Sequence, residues 1–488
     1  MKSRAFFISI LLLMLGAVGG TAAGPEAESR HGRLVLCLDG TQNNAEQAVI
    51  SDGPYNLYKP TNVLKTFRAI RPLAGGVSQI GYYSEGVGSL VGEPDRFASL
   101  EVAVDRIQGG AFGVGYEARV KDAYRFLLAN YQPGDEIIVF GFSRGAAEAQ
   151  TLARFIEWMG GVLNQEGQGG LLQKQDEYYI PELYEGFRNS KPVSGKQPVE
   201  ARTVFNRIRE RRHEQAIECP QAVRERRQEA IACPHPVQIE FLGVYDTVLS
   251  VGSRLAPDGT VTTVDQAHAY LVDRTAPTIV KTVRQALAID ERRWDFRPQV
   301  WQPDPEKPTP GQSLQQLWFP GVHSNVGGGY FYDDLADNAL EWMLAEAKTY
   351  AHLALDDEYL HHFYGPDKPH CYDPSRPNSD TGWAKFVDLI RFKNGRGVRD
   401  LELWDKEDSW KRSGLGFHKS LGELLINDCT YRPRNLLEFL ARPDRSDRLA
   451  LFPADQRTEI GKIVKEFRQK PPKPYHCKLL PLPACGTS

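Results

Sequence analysis

The segment Ile137-Ile138-Val139-Phe140-Gly141-Phe142-Ser143-Arg144-Gly145-Ala146 constrains what this chain can fold into more than any other. A short apolar run ends in Gly-x-Ser-x-Gly and opens directly into a helix-forming stretch, so Ser143 falls in a sharp strand-to-helix turn. Backbone in such a turn is strained, and side chains two residues to either side of the serine would collide; Gly141 and Gly145 remove the collision. The flanks agree. Pro133-Gly134-Asp135-Glu136 forms a turn signal before the strand, and Ala149, Leu152, Ala153, Ile156 and Met159 recur at helical spacing after it. Ser143 is therefore a candidate nucleophile, set against the plainer reading of a structural serine in a tight turn. The backbone N–H of Arg144, at the positive end of the following helix, is a candidate oxyanion donor.

The 488 residues, 41% of them hydrophobic, suffice for one large α/β core with a substantial extension. A net charge of −3 and the lack of a P-loop motif give no reason to expect nucleic acid or nucleotide as partner. Gly113-Val114-Gly115-Tyr116-Glu117-Ala118 fits a relaxed dinucleotide fingerprint, but no clear buried strand precedes it and no acidic ribose partner follows, so it reads as a turn leading into a helix. No cysteine or histidine spacing resembles a zinc site. Neither a cofactor nor a metal is expected.

Apolar runs at residues 34–38, 77–83, 137–142 and 237–244 read as strands, and residues 61–70, 120–130 and 146–159 as helices, with Thr61 capping the first. Strands alternating with helices predict a doubly wound, mostly parallel α/β layer. Lys2 and Arg4, the apolar run 5–18 and the small residues Thr21-Ala22-Ala23 predict a signal peptide over 1–23, hence a periplasmic or secreted protein; the rival is an uncleaved N-terminal membrane anchor. Residues 160–236 turn glycine-rich and then alternate Arg with Glu, the pattern of an insertion made of exposed helices with a modest apolar face. This insertion is either a lid beside the site, able to touch a membrane surface, or a solvated hairpin. Residues 346–488 read as a mostly helical C-terminal extension with a tail containing proline and cysteine. Of the seven cysteines, Cys37 lies inside an apolar strand and is expected unpaired; Cys219 with Cys233 is the best disulfide, Cys477 with Cys485 and Cys371 with Cys429 weaker ones.

A serine needs a base and an orienting acid, and behind an elbow of this kind they follow in the order serine, acid, histidine. His323 stands in the glycine-rich loop Gly321-Val322-His323-Ser324-Asn325-Val326-Gly327-Gly328-Gly329-Tyr330, suited to holding an imidazole at the sheet edge. Asp246, in Gly243-Val244-Tyr245-Asp246-Thr247-Val248, follows a strand at its carboxyl end, where active-site loops gather. Asp290 is the alternative acid, but an Asp followed by Glu291, Arg292 and Arg293 has the look of a surface ion-pair site. The turn after the first strand offers the N–H of Gly40 or Thr41 as the second oxyanion donor, while Asp39 is suited to accept loop N–H bonds.

Together Leu38-Asp39-Gly40-Thr41-Gln42-Asn43, Thr61-Asn62-Val63, the glycines of 109–115, Gly141 to Ala146, Gly243 to Val248 and Pro320 to Tyr330 resemble, in order and spacing, the catalytic domain of type VI secretion phospholipase effectors and related bacterial proteins. The resemblance spans residues 33–345, with a fainter echo at Gly416-Phe417-His418-Lys419-Ser420 and Tyr431-Arg432-Pro433. It implies an α/β-hydrolase-like domain over 31–345, a triad of Ser143, Asp246 and His323, and cleavage of acyl esters in phospholipids. The expected protein is thus an exported serine esterase or lipase. Two further readings stand beside it: a carboxylesterase or thioesterase for small soluble substrates, and a non-catalytic envelope protein that keeps the fold.

Overall fold

Alternation along the first strand decides the layering. In β1 (Arg33–Leu38), Leu34, Leu36 and Leu38 enter one apolar cluster and Val35 and Cys37 enter a second, so the strand is buried on both faces. The computed structural model describes residues 31–40, 60–86, 112–162, 179–190, 200–211, 237–248, 254–255, 261–263, 275–292, 296–302, 309–330, 334–364, 399, 401, 410, 413–443 and 446–469. The expected signal peptide lies outside them, as do Cys219, Cys233, Cys371, Cys477 and Cys485. Cys37 is free and buried, and Cys429 is disulfide-bonded.

The strands continue as β2 (Leu73–Ala74), β3 (Val77–Ser84), β4 (Glu136–Phe142), β5 (Ile239–Tyr245), a small hairpin of β6 (Arg254–Leu255) with β7 (Val261–Thr263), then β8 (Val280–Ala288), β9 (Ser313–Phe319) and β10 (Leu415–Phe417). The main sheet has eight strands in the order β10-β9-β8-β5-β4-β1-β3-β2. Its pairings are parallel except for β2, which pairs antiparallel with β3 at one edge. The doubly wound, mostly parallel sheet is thus as expected.

Helices cover both faces. On the side of Leu34, Leu36 and Leu38 lie α2 (Phe112–Asn130) and α3 (Arg144–Met159), contributing Tyr124, Leu127, Leu152 and Phe155. On the other side α1 (Asn62–Ala69) contributes Val63 and Ala69. Thr61 caps α1 as predicted, its hydroxyl accepting from the Leu64 N–H at 3.1 Å. Lys65 of α1 makes a buried 2.7 Å ion pair with Asp337 of a later helix on the same face (Asp334–Ala351), which ties the two helices together.

Two parts add to what the sequence suggested. In the insertion, α4 (Ile180–Arg188) buries Ile180, Leu183, Tyr184 and Phe187 in the same core as Phe155; Tyr184 and Phe187 meet the Phe155 ring, and Phe187 also meets Trp158 near the far end of α3. That contact begins twelve residues along α3 from Ser143, roughly 18 Å at 1.5 Å per residue. The described helices of the insertion, α4 and α5 (Ala201–Arg211), therefore extend the main core; Val204 and Ile208 of α5 join it while Thr203, Asn206 and Arg207 stay exposed. Beyond residue 346 the described elements are mostly helical, with one strand among them. β10 adds the edge strand beside β9, and a third apolar cluster joins Leu287 of β8 and Trp318 of β9 to Leu415, Phe417, Leu437 and Phe439. The later elements are α6 (His323–Gly327), α7 (Asp334–Ala351), α8 (Asp357–Leu360), α9 (Lys419–Asn427), α10 (Arg434–Leu440) and α11 (Arg457–Gln469).

Candidate active site

Parallel register brings the candidate residues to one edge. Phe142 pairs with Tyr245, Tyr245 with Ala286, and Ala288 with Phe319, so β4, β5, β8 and β9 all end at the same level of the sheet. Ser143 and Asp246 leave from adjacent strand ends, and His323 follows β9 after a short turn. Chain segments far apart in sequence thus converge at the carboxyl edge of a parallel sheet, where such folds gather their ligand sites.

Ser143 has φ 56° and ψ −118°, a positive-φ conformation outside the left-handed helical region and sparsely populated for any residue with a side chain, which costs about 1–3 kcal/mol and survives where the surroundings dictate it. The surroundings are specific. The Ser143 N–H donates to the Tyr245 carbonyl at 3.0 Å, and the Ser143 carbonyl accepts from the N–H groups of Ala147 and Val248, each at 3.3 Å. A Cβ on Gly145 would lie 2.1 Å from the Leu38 carbonyl oxygen, and one on Gly141 would lie 2.6 Å from Ala146 Cα. Only glycines let the start of α3 pack directly onto the end of β1.

The Ser143 Oγ lies 2.7 Å from His323 Nε2, and His323 Nδ1 lies 2.6 Å from Asp246 Oδ2. The imidazole sits between two rings, with centroids 4.7 Å from Phe142 and 4.8 Å from Phe296. Its backbone N–H donates to Glu291 Oε2 at 3.2 Å, which pins the loop. Asp246, also at positive φ (41°), is fully buried. Its Oδ1 accepts from the Ala288 N–H at 3.0 Å and from Arg399 Nη1 at 2.7 Å, and its Oδ2 accepts from Arg399 Nη2 at 2.9 Å. Burial works to raise the Asp246 pKa. The Arg399 charge, together with the bonds from His323 and Arg399, outweighs it and holds the carboxyl below its usual range.

Asp290, the alternative acid, is bonded elsewhere: its Oδ2 accepts from the Gly321 N–H and from the Tyr431 hydroxyl, both at 2.7 Å. The expectation of a surface ion-pair site fails for a physical reason. The turn after β8 faces inward, Glu291 is buried against the His323 backbone, and burial raises the Asp290 pKa to about 6. At the end of β1, Asp39 accepts from the Gly40 N–H (2.7 Å), the Thr61 hydroxyl (2.6 Å) and the Tyr83 hydroxyl (2.7 Å), the structural role anticipated for it. Burial nonetheless raises its pKa to about 6. The same bond commits the Gly40 N–H to Asp39, so Gly40 is not an open oxyanion donor here; Thr41 lies outside the described residues. Arg144 occupies the first position of α3, at the N-terminal end of the helix where backbone N–H groups lack intrahelical acceptors.

Arg399, Glu291 and Phe296 were not legible as site residues. Arg399 stands alone in a charged stretch, 153 positions from the aspartate it bonds. Among the described residues there is no group of three or more His, Cys, Asp or Glu side chains able to hold a metal ion.

An eight-stranded, mostly parallel α/β sheet with a serine on the turn after a central strand defines an α/β-hydrolase type of protein. The chain belongs to the family described as the catalytic domain of Tle1-like phospholipase effectors of the type VI secretion system, whose profile matches residues 32–346. It is 27% identical over 302 residues to an uncharacterized protein of Saccharomyces cerevisiae, covering 60% of this chain and 36% of that one. A crystal structure of an uncharacterized Pseudomonas aeruginosa protein aligns at 18% identity and TM-score 0.35, covering 69% of this chain and 48% of the other. The structure of the Tle1 effector bound to the VgrG spike of the type VI secretion system aligns at 18% identity and TM-score 0.26, covering 62% and 52%. The chain thus spans about a third to a half of the length of these relatives.

Proposed function

We propose that this protein is an exported serine hydrolase that cleaves acyl esters of lipids, phospholipids above all, through an acyl-enzyme. The observation that carries the reading is the unbroken relay from Ser143 Oγ to His323 Nε2 at 2.7 Å and from His323 Nδ1 to Asp246 Oδ2 at 2.6 Å. Membership in a family of phospholipase catalytic domains supports the lipid substrate. The reading of an exported protein rests on residues 1–23.

With Asp246 ionised, His323 carries its proton on Nδ1 and offers Nε2 as the acceptor. As the Ser143 Oγ attacks the ester carbonyl, its proton passes to Nε2 and Asp246 stabilises the imidazolium. The oxyanion of the tetrahedral intermediate faces the Arg144 N–H and the positive end of α3. Collapse transfers the Nε2 proton to the departing alcohol, a lysophospholipid when a diacyl lipid is cut. Water activated by His323 then releases the fatty acid and restores Ser143.

The test is mass-spectrometric product analysis of mixed phospholipid vesicles incubated with the protein lacking residues 1–23, beside Ser143→Ala and Asp246→Asn. Free fatty acid and lysophospholipid should form with the native chain, and each variant should lose about 10³-fold or more in rate. Cleavage of short soluble esters with no lipid product would move the protein to the soluble-esterase reading. Equal turnover by Ser143→Ala would remove Ser143 from the chemistry.

A further inference from the structure

Arg399 lies outside the matched family region of residues 32–346, yet it meets the buried acid of the relay with both terminal nitrogens. Nη1 donates to Asp246 Oδ1 at 2.7 Å and also to the Ala288 carbonyl; Nη2 donates to Asp246 Oδ2 at 2.9 Å and to the Phe296 carbonyl at 2.6 Å. The backbone carbonyl of Arg399 accepts from Asn435 Nδ2 at 3.1 Å, and the same amide nitrogen donates to the Ile289 carbonyl at 3.0 Å. A side chain from the C-terminal third therefore clamps the end of β5, the end of β8 and the segment carrying Phe296, whose ring packs on the imidazole.

The chemistry of the carboxylate gives this clamp a purpose. An ionised Asp offers about four lone-pair directions. Here His323, the Ala288 N–H and the two Arg399 nitrogens fill them. A carboxylate as buried as Asp246 would otherwise favour its neutral form, which holds an imidazole less well. The fork also fixes rotation, because two parallel bonds leave only one orientation in which Oδ2 faces Nδ1.

We propose that Arg399 is a positioning residue of the active site: it keeps Asp246 ionised and turned toward His323, and its charge tempers how strongly Asp246 stabilises the His323 imidazolium. The proposal rests on the triad reading given above. Two separable effects follow, one on rate and one on pH behaviour. Losing the fork loosens Asp246 and slows attack. Losing the charge removes the cation that opposes proton uptake by the Asp246–His323 pair, so the pair stays protonated to higher pH. Among the described residues, other charged groups near the ring include Glu291, which accepts the His323 backbone N–H, Asp290, bonded to Gly321 and Tyr431, Arg297, buried next to Phe296, and Arg144, buried next to Ser143. They are unchanged in every variant below.

The test follows the second-order rate at which a fluorophosphonate labels Ser143 between about pH 5 and 9, with thermal denaturation of each sample and Ser143→Ala as the blank. Arg399→Gln should label 10- to 100-fold more slowly at its plateau. Its acid-side half-point should rise by about one pH unit, the size expected for removing a charge a few ångströms away. Arg399→Lys keeps the charge without the fork, and should label more slowly with its half-point unmoved. A folded Arg399→Gln with the wild-type rate and half-point overturns the proposal. So does a loss that matches the loss of folded protein with no shift in half-point. Should Arg399→Gln not fold, Arg399→Lys decides: a wild-type rate overturns the role, and a slowed rate with an unmoved half-point supports it. Failure of the folded wild type to label above the Ser143→Ala blank would overturn the triad reading and the role of Arg399 with it.

Discussion

One buried carboxylate near the elbow sharpens what a single residue does here. Glu148, one turn beyond Ser143 in α3, is 1% exposed, and neither of its oxygens has a hydrogen-bond partner among the described residues. Burial raises its pKa from 4.5 to about 8 against the opposing charges of Arg119 and Arg144. Its folded form therefore keeps a proton that the unfolded chain releases, so its contribution to stability falls as pH rises from about 4.5 to about 8 and is level above that. Glu148→Gln removes the decline. We expect the variant to gain on the wild type with rising pH and to exceed it by at least about 1 kcal/mol at pH 8, as read from denaturation at pH 5, 6.5 and 8. Parallel curves would show Glu148 to be ionised in the fold. At this scale the sequence was legible where chemistry demands a special backbone: the paired glycines around Ser143, the loop of Gly321 to Tyr330 around His323, and Asp246 at a strand end. Asp290-Glu291-Arg292 misled because burial is set by which way a turn faces, and no residue within the turn encodes that direction.

Among elements, the junction of β4 and α3 tolerates least. Gly145→Ala would drive a carbon to 2.1 Å from the Leu38 carbonyl, whereas Gly311→Ala, at φ +84°, meets nothing within 4 Å. Backbone strain alone costs Gly311→Ala about 1–2 kcal/mol. Gly145→Ala should lose at least twice that in urea unfolding and should lower fluorophosphonate labelling even where it folds. Equal losses would mean that α3 shifts freely on β1. Periodicity revealed α1, α3 and the long central strands because each carries four or more patterned residues. It could not reveal β10, where three residues, Leu415–Phe417, gain strand character from pairing with Gln316, Leu317 and Trp318. Nor could it say where α4 would pack, because its apolar face fits a cap and a core equally well.

For the whole molecule, the described residues of the C-terminal third are part of the hydrolase body. Ending the chain at residue 346 would remove β10, Arg399 and the helices that cover Leu287 and Trp318. Such a fragment, though it holds the entire family match and all three relay residues, should be insoluble or unreactive toward a fluorophosphonate; soluble, reactive fragment would contradict this. The arrangement also sets a timetable. Ser143 and His323 are 180 positions apart, so at about 5–20 residues per second a ribosome delivers the serine roughly 9–36 s before its base. Asp246 then waits for Arg399, 153 positions further on. Throughout that interval the growing chain carries Ser143 without the groups that hold it and face it in the fold, so the relay is complete only once the last of these partners has been synthesised.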